Sequence, residues 1–360
     1  MKKISRRKTR CVRIGNVKIG CGQPIAIQSM LKAKARDLKA AVPQIIKLAD
    51  IGCDIVRLAV ENQSDALAIA HIKRQVKVPI VADIHFDYRL ALTAIDAGVD
   101  KVRLNPGNIY KTQEIKEVIA AAKNAHIPIR VGANSGSLRI KARDMTSALV
   151  KSVLDYLKLF EKQGFYDIVI SLKGSDILNT VAAYSKLAGV CDYPLHVGVT
   201  ATGLPLDGVI KSSIGIGVLL FQGIGDTIRV SLLGDPAQEV LAAQVMLNSL
   251  GLRSFGPEWI CCPTCGRCEV DLPKKAAGFE GLLKDLSLQE RYHLRNYKIA
   301  LMGCVVNGPG EAKEATLGIA FSKHKAILFK KGKIIGTVPL DEAEKKLFVM
   351  LKKDIAGRKI

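Results

Sequence analysis

Short apolar, β-branched runs recur along the first two-thirds of the chain, each followed by a stretch with helical spacing. The runs cover 24–30, 54–60, 79–86, 101–107, 128–134, 167–173, 194–200 and 227–232. Between them, 147–163 places Leu149, Val153, Tyr156, Leu157 and Phe160 on one face, and Gly164 follows as a stop signal. A second helix opens with Asp235 as N-cap and Pro236 at its first position, and closes at Gly251. Eight β-then-α units in about 230 residues give the arithmetic of a (β/α)8 TIM-like barrel. A doubly wound open sheet is the competing architecture.

Buried parallel strands read as nearly continuous apolar runs, yet here cations interrupt them. Arg57 lies between Val56 and Leu58, Arg103 between Val102 and Leu104, Arg130 between Ile129 and Val131, and Arg229 between Ile228 and Val230; Lys173 follows Leu172. Side chains alternate faces along a strand, so apolar neighbours facing the helices turn each cation toward the barrel axis. Asp83, His85, Asn105, Asn134, His196 and Ser231 lie at or near strand ends, and most share that parity. One such charge is explained by a structural ion pair. Five on five strands repel one another in a partly dry cavity and call for balance by a bound anion or by the few acids nearby. Ligands bind at the C-terminal mouth of such barrels, and guanidinium forks suit phosphate oxygens. The expected ligand is a small molecule with two or more negative charges, a diphosphate.

The repeat ends near 252–257, which sets expected domains of 1–254, the substrate diphosphate-binding barrel, and 255–360, a smaller α+β domain. In the latter, 298–302 reads as a strand running into the Cys304 loop. The segments 316–321, 326–329 and 333–338 read as a meander with a turn at Lys331-Gly332, and 341–353 as a closing amphipathic helix. Five of the nine cysteines fall between Cys261 and Cys304. Cys262, Cys265, Cys268 and Cys304 would make a four-thiolate site, since the spacing imitates a ferredoxin run. Alternatively, Cys262, Cys265 and Cys304 bind with Glu311 as an oxygen ligand. Spacing alone leaves iron–sulfur and zinc both open.

Composition narrows the setting. The chain has 360 residues, 48% hydrophobic and 24% charged, an ordinary globular balance. Its longest apolar stretches are too short to span a bilayer, and no apolar segment follows the basic N-terminus, so a cytoplasmic protein is expected. In that compartment thiols stay reduced, and Cys11, Cys21, Cys53 and Cys191 read as buried or incidental. The net charge of +21 is expected to sit largely on unstructured ends, 2–10 and Lys352, Lys353, Arg358 and Lys359. Without aromatic interleaving or a nucleic-acid fold, that charge does not make an RNA binder.

Several stretches resemble one family. Val-Ala-Asp83-Ile-His85-Phe-Asp-Tyr-Arg89, Arg103-Leu-Asn105-Pro-Gly-Asn108, Gly-Ile-Gly-Asp226-Thr-Ile-Arg229-Val-Ser231-Leu, Cys262-Pro-Thr-Cys265-Gly-Arg267 and Gly-Cys304-Val-Val-Asn-Gly-Pro-Gly-Glu311 are similar to the 4-hydroxy-3-methylbut-2-enyl diphosphate synthase family. The resemblance runs from about residue 12 to 320. It implies reductive ring opening of 2-C-methyl-D-erythritol 2,4-cyclodiphosphate in non-mevalonate isoprenoid biosynthesis, with flavodoxin or ferredoxin as electron donor. It also implies a 4Fe–4S cluster on Cys262, Cys265, Cys304 and Glu311, with Glu311, Cys304 and His85 in catalytic roles. The residues implied to hold substrate are Arg57, His85, Arg103, Asn105, Arg130, Asn134, Lys173, Arg229 and Ser231. A homodimer is implied in which one chain's cluster domain caps the other's barrel. Two departures stand out. Val199-Thr-Ala201-Thr-Gly203 lacks the family's glutamate, an active-site acid, and Leu31-Lys32-Ala33-Lys34 replaces the usual Thr-Asn-Thr after Met30. They motivate two alternatives, a divergent iron–sulfur reductase acting on another diphosphate and a non-catalytic zinc- and phosphate-binding protein.

Overall fold

The computed structural model describes residues 4–134, 144–174, 176–200, 203–287, 290, 293–295, 297–306 and 308–357. The Ala201 replacement lies outside them, as do Arg358 and Lys359. The chain divides into two compact units, Met1–Arg253 and Ser254–Ile360. No described helix is long and apolar enough to cross a membrane.

Unit one begins with a hairpin, β1 (Val12–Ile14) and β2 (Val17–Ile19). Eight parallel strands follow: β3 (Ala26–Met30), β4 (Ile55–Val60), β5 (Ile80–Ile84), β6 (Lys101–Leu104), β7 (Ile129–Asn134), β8 (Ile168–Lys173), β9 (His196–Val197) and β10 (Thr227–Ile228). They pair in the order β8-β7-β6-β5-β4-β3-β10-β9, and a parallel bridge between Ile170 and Leu195 closes the ring. Each expected strand is found. The expected 194–200 and 227–232, however, shrink to two residues each, and just beyond them Gly198 packs against the Arg229 carbonyl, 2.6 Å from where a Cβ would sit.

Eight helices alternate with these strands: α1 (Leu38–Asp50), α2 (Gln63–Gln75), α3 (Tyr88–Asp96), α4 (Thr112–Asn124), α5 (Met145–Lys162), α6 (Ile177–Ala188), α7 (Pro205–Phe221) and α8 (Pro236–Ser249). Side chains of Asp37, Asn62, Asp87, Asp144, Asp176 and Asp235 accept the free amides at six of their starts. Such a cap stabilises by about 1 kcal/mol.

The hairpin seals the N-terminal end of the barrel. Val12, Ile14 and Ile19 pack with the inward-facing Ala26, Ile55, Val81 and Val169. This corrects the expectation of an unstructured basic N-terminus. Arg6 bonds Asp226 at 3.1 Å, Arg7 donates to the Cys191 and Tyr193 carbonyls at 2.5 Å, and Arg10 lies over the Tyr193 ring. Cys11 and Cys21, read as incidental thiols, are joined in a disulfide beside the hairpin. Hairpin pairing sets Val12 opposite Ile19, which brings the flanking cysteines together. At the other end of the chain, Lys352 and Lys353 are helical, not part of a loose tail.

Unit two is a five-stranded sheet: β11 (Glu258–Cys261), β12 (Lys298–Met302), β13 (Leu317–Phe321), β14 (Lys325–Lys330) and β15 (Lys333–Pro339), in that order. The first three strands are parallel and the last two antiparallel. Its helices are α9 (Leu272–Leu283), the short α10 (Gly308–Glu311) and α11 (Ala343–Ala356). Ile299, Leu301, Ile319 and Phe321 share a core with Phe279, Leu347 and Leu351 of α9 and α11. Ala300, Met302 and Ala320 pack on the opposite face with Ala312 and Ala315. Because β11 and β12 run parallel, both end at the same edge of the sheet and deliver Cys262 and Cys304 to it.

Candidate active site

Strand parity works in the barrel as the sequence pattern suggests. Arg57, Arg103, Arg130, Lys173 and Arg229 are each less than a tenth exposed. They line one cavity of about 320 Å3, together with Met30, Asp83, His85, Asn134, Ser171 and Thr200. Most of these residues lie toward the C-terminal ends of their strands or just beyond, where barrel ligands bind, while Arg130, second in β7, lines the cavity from beneath. Seven of the nine residues implied to hold substrate therefore share a wall. Asn105 and Ser231 do not line the cavity. The Asn105 carboxamide accepts from the Gly107 amide at 3.1 Å and braces its own loop. Gly132 makes room in the wall, since a Cβ there would lie 2.9 Å from both Arg103 Nε and Ser171 Oγ.

Two carboxylates hold this array: Asp83, already marked by its place near a strand end, and Glu239, which no local pattern marks. Asp83 meets Arg103 Nη1 at 2.9 Å, Arg57 Nε at 3.5 Å and His85 Nε2 at 3.7 Å. Burial alone would raise its pKa; Arg57, the His85 hydrogen bond, Arg103 and Arg130 together hold it well below the usual carboxylate range. Glu239, buried on α8, accepts from Arg229 Nη2 at 3.2 Å, Ser29 Oγ at 3.0 Å and the Leu232 amide at 3.1 Å. Lys32, part of the altered segment after Met30, reaches the same carboxylate at 3.3 Å.

These two carboxylates leave part of the cationic charge unrelieved. Burial, then repulsion from Arg57 and Arg229, pulls the Lys173 ammonium far below its ordinary value. Burial likewise lowers Arg130, with Arg57 and Arg103 adding to it, and takes Arg57 down to about 10 against the opposing pull of Asp83. An entering polyanion would relieve all three.

In unit two, Cys262, Cys265, Cys268, Cys304 and Glu311 line a cavity of about 190 Å3 with Thr264, Arg267 and Gly303. Among the described residues, no three His, Cys, Asp or Glu side chains converge closely enough to hold a metal ion as they stand. The donor chemistry nonetheless fits a thiolate-held iron centre. Cys265 and Glu311 are exposed, Cys262 and Cys304 half-buried, and the Gly303 amide donates to Cys262 Sγ at 3.1 Å, as amides do around cluster sulfurs. Cys268 differs in that its thiol lies 3.2 Å from the Val270 carbonyl.

A cation-lined cavity at the mouth of a (β/α)8 barrel, followed in one chain by a thiol-lined α+β domain, defines a two-domain class of protein. Residues 9–244 match the GcpE TIM-barrel domain and residues 258–353 the GcpE protein C-terminal domain, so the chain belongs to the GcpE family. Relatives carry the name 4-hydroxy-3-methylbut-2-en-1-yl diphosphate synthase (flavodoxin). The Nitratidesulfovibrio vulgaris protein is 49% identical over 93% of this chain and 86% of its own length. The Fusobacterium nucleatum protein is 47% identical over 98% and 99%. Among solved structures, the dihydropteroate synthase of Xanthomonas albilineans covers 68% of this chain and 97% of its own, with a TM-score of 0.51 and 14% identity. At that identity the likeness concerns the barrel fold alone.

Proposed function

We propose that this protein reductively opens 2-C-methyl-D-erythritol 2,4-cyclodiphosphate to 4-hydroxy-3-methylbut-2-enyl diphosphate. Two electrons and two protons enter, a ring C–O bond breaks and one water is lost. The observation that carries the reading is the set of five buried cations around one cavity, in a chain whose near-full-length relatives bear that enzyme's name.

Arg57, Arg103, Arg130, Lys173 and Arg229 grip the diphosphate, and their fixed positive field favours negative charge building on it as the ring opens. Asp83 aims Arg57 and Arg103 and lies 3.7 Å from His85 Nε2 at the mouth. Asn134 adds polar groups to the wall. Asn105 and Ser231 act through their loops. Cys262, Cys265, Cys304 and Glu311 would hold a 4Fe–4S cluster, which supplies electrons and, through its exchangeable oxygen-ligated iron, a Lewis acid. Glu311 and Cys304, with His85, are the residues assigned to the chemical step. The electron donor is a flavodoxin or ferredoxin, and the working form is a homodimer in which the cluster domain of one chain caps the barrel of the other.

Anaerobic protein supplied with the cyclic diphosphate and a strong reductant is expected to form the linear allylic diphosphate. An intact cluster that gives no product would refute the assignment.

A further inference from the structure

Strand register stacks the inward side chains in rings of four, each drawn from alternate strands. Arg57, Arg103, Ser171 and Arg229 make the ring that lines the cavity. Gln28, Val81, Arg130 and His196 lie beneath it, and Ile55, Lys101, Val169 and Thr227 beneath those. The two lower rings bury five polar side chains, Gln28, Lys101, Arg130, His196 and Thr227, that the proposed reaction, Arg130 aside, does not use. Lys101 and His196 are 0% exposed, Gln28 and Arg130 1%.

These side chains are far from satisfied. Lys101 Nζ, His196 Nε2, Arg130 Nε and Nη1 and both amide atoms of Gln28 find no hydrogen-bond partner among the described residues. Leaving such groups unmet inside a protein is costly, most of all for charged ones. His196 Nδ1 lies 2.8 Å from Thr227 Oγ1, so a proton donated by that hydroxyl leaves Nε2 as a donor. Lysine and arginine only donate. The polar groups of the two rings are thus dominated by donors, in layers whose other members include the apolar Val81, Ile55 and Val169.

Charge balance points the same way. Six cations face the axis (Arg57, Lys101, Arg103, Arg130, Lys173 and Arg229), and the carboxylates paired with them are Asp83 and Glu239. Even a doubly charged substrate leaves an excess. Loss of the Lys101 proton would not remove it, because Arg130 keeps its charge. Below, the hairpin residues Val12, Ile14 and Ile19 close the barrel, which excludes a large ligand.

We propose that the barrel core holds one small monovalent anion, of chloride size and charge, between Lys101 and Arg130, with Gln28 and His196 completing its donors. The ion sits beneath the cation cavity and steadies Arg130, the member of its ring that also lines that cavity. This site stands whether or not the proposed reaction is correct.

Crystals of the full chain grown in bromide test the placement. An anomalous peak touching Lys101 and Arg130 is expected; water there, or bromide confined to the upper cavity, would overturn it. In solution, the melting temperature at matched ionic strength should be several degrees higher in chloride or bromide than in gluconate, because only the folded state binds the ion. Lys101→Met keeps the length and removes the charge, and should abolish that halide dependence; Lys101→Gln serves if the methionine variant does not fold. A halide effect of equal size in wild type and variant, or none in wild type, contradicts the proposal.

Discussion

Asp83 gives the sharpest test of how the cation cavity is held together. Asp83→Asn keeps the shape and removes the charge that faces Arg57 at 3.5 Å and Arg103 at 2.9 Å. Removing one partner of a buried ion pair costs about 3–5 kcal/mol, because the other partner remains buried and unpaired. For a domain of this size 1 kcal/mol is worth about 2–4 °C, so the barrel should melt about 6–20 °C lower. The pH dependence follows from the sign of the shift. Asp83 has its folded pKa below the unfolded value of about 3.9, so its stabilisation is complete above that value and is lost as pH falls through the folded one. Wild-type stability should therefore decline below about pH 4, and the variant's more shallowly. Differential scanning of both proteins across pH, with and without saturating pyrophosphate, measures this. Pyrophosphate should raise the melting temperature of each. A variant that melts within 2 °C of wild type (about one small surface substitution's worth) would refute the claim that Asp83 organises the cavity.

Three further outcomes are expected. Arg103→Met removes a charge-assisted contact worth about 1.5–3 kcal/mol, so KM for the cyclic diphosphate should rise by about 10- to 150-fold in steady-state assays. Glu311→Ala should damage turnover far more than Cys268→Ser, and iron and sulfide analysis should find the cluster retained in Cys268→Ser, since that thiol is engaged with the Val270 carbonyl; the opposite pattern would favour a four-cysteine site. Asp235→Ala removes the side-chain cap on the Ala237 amide and should cost about 1 kcal/mol by urea denaturation, without loss of activity.

The barrel was legible because its signals are local. Period-2 parity needs only neighbouring residues, and it turned Arg57, Arg103, Arg130, Lys173 and Arg229 inward before any contact was known. Capping chemistry placed α8 in the same way, from Asp235 and Pro236. The hairpin at Val12–Ile14 and Val17–Ile19 carried an equally local sign, alternating apolar residues about Gly15-Asn16, with Gly15 at φ +55°. Basic residues around it masked that pattern as a tail. The partners that hold the cations were out of reach of such reasoning. Glu239 lies 210 residues from Ser29, which bonds it, and nothing near either residue announces the other. The same holds for Arg7 and the Tyr193 carbonyl, 186 residues apart. In the second unit, β12 is found as expected, whereas β11 is short and half-exposed and lacks the apolar run that marks a strand.

Electron paramagnetic resonance of the reduced, anaerobically prepared protein tests most directly the proposed link between substrate binding and an iron–sulfur centre. A reduced-cluster signal that changes when the cyclic diphosphate is added is expected, and that change should be weakened in Arg103→Met. Zinc without labile sulfide, or a cluster signal indifferent to saturating cyclic diphosphate, would contradict it.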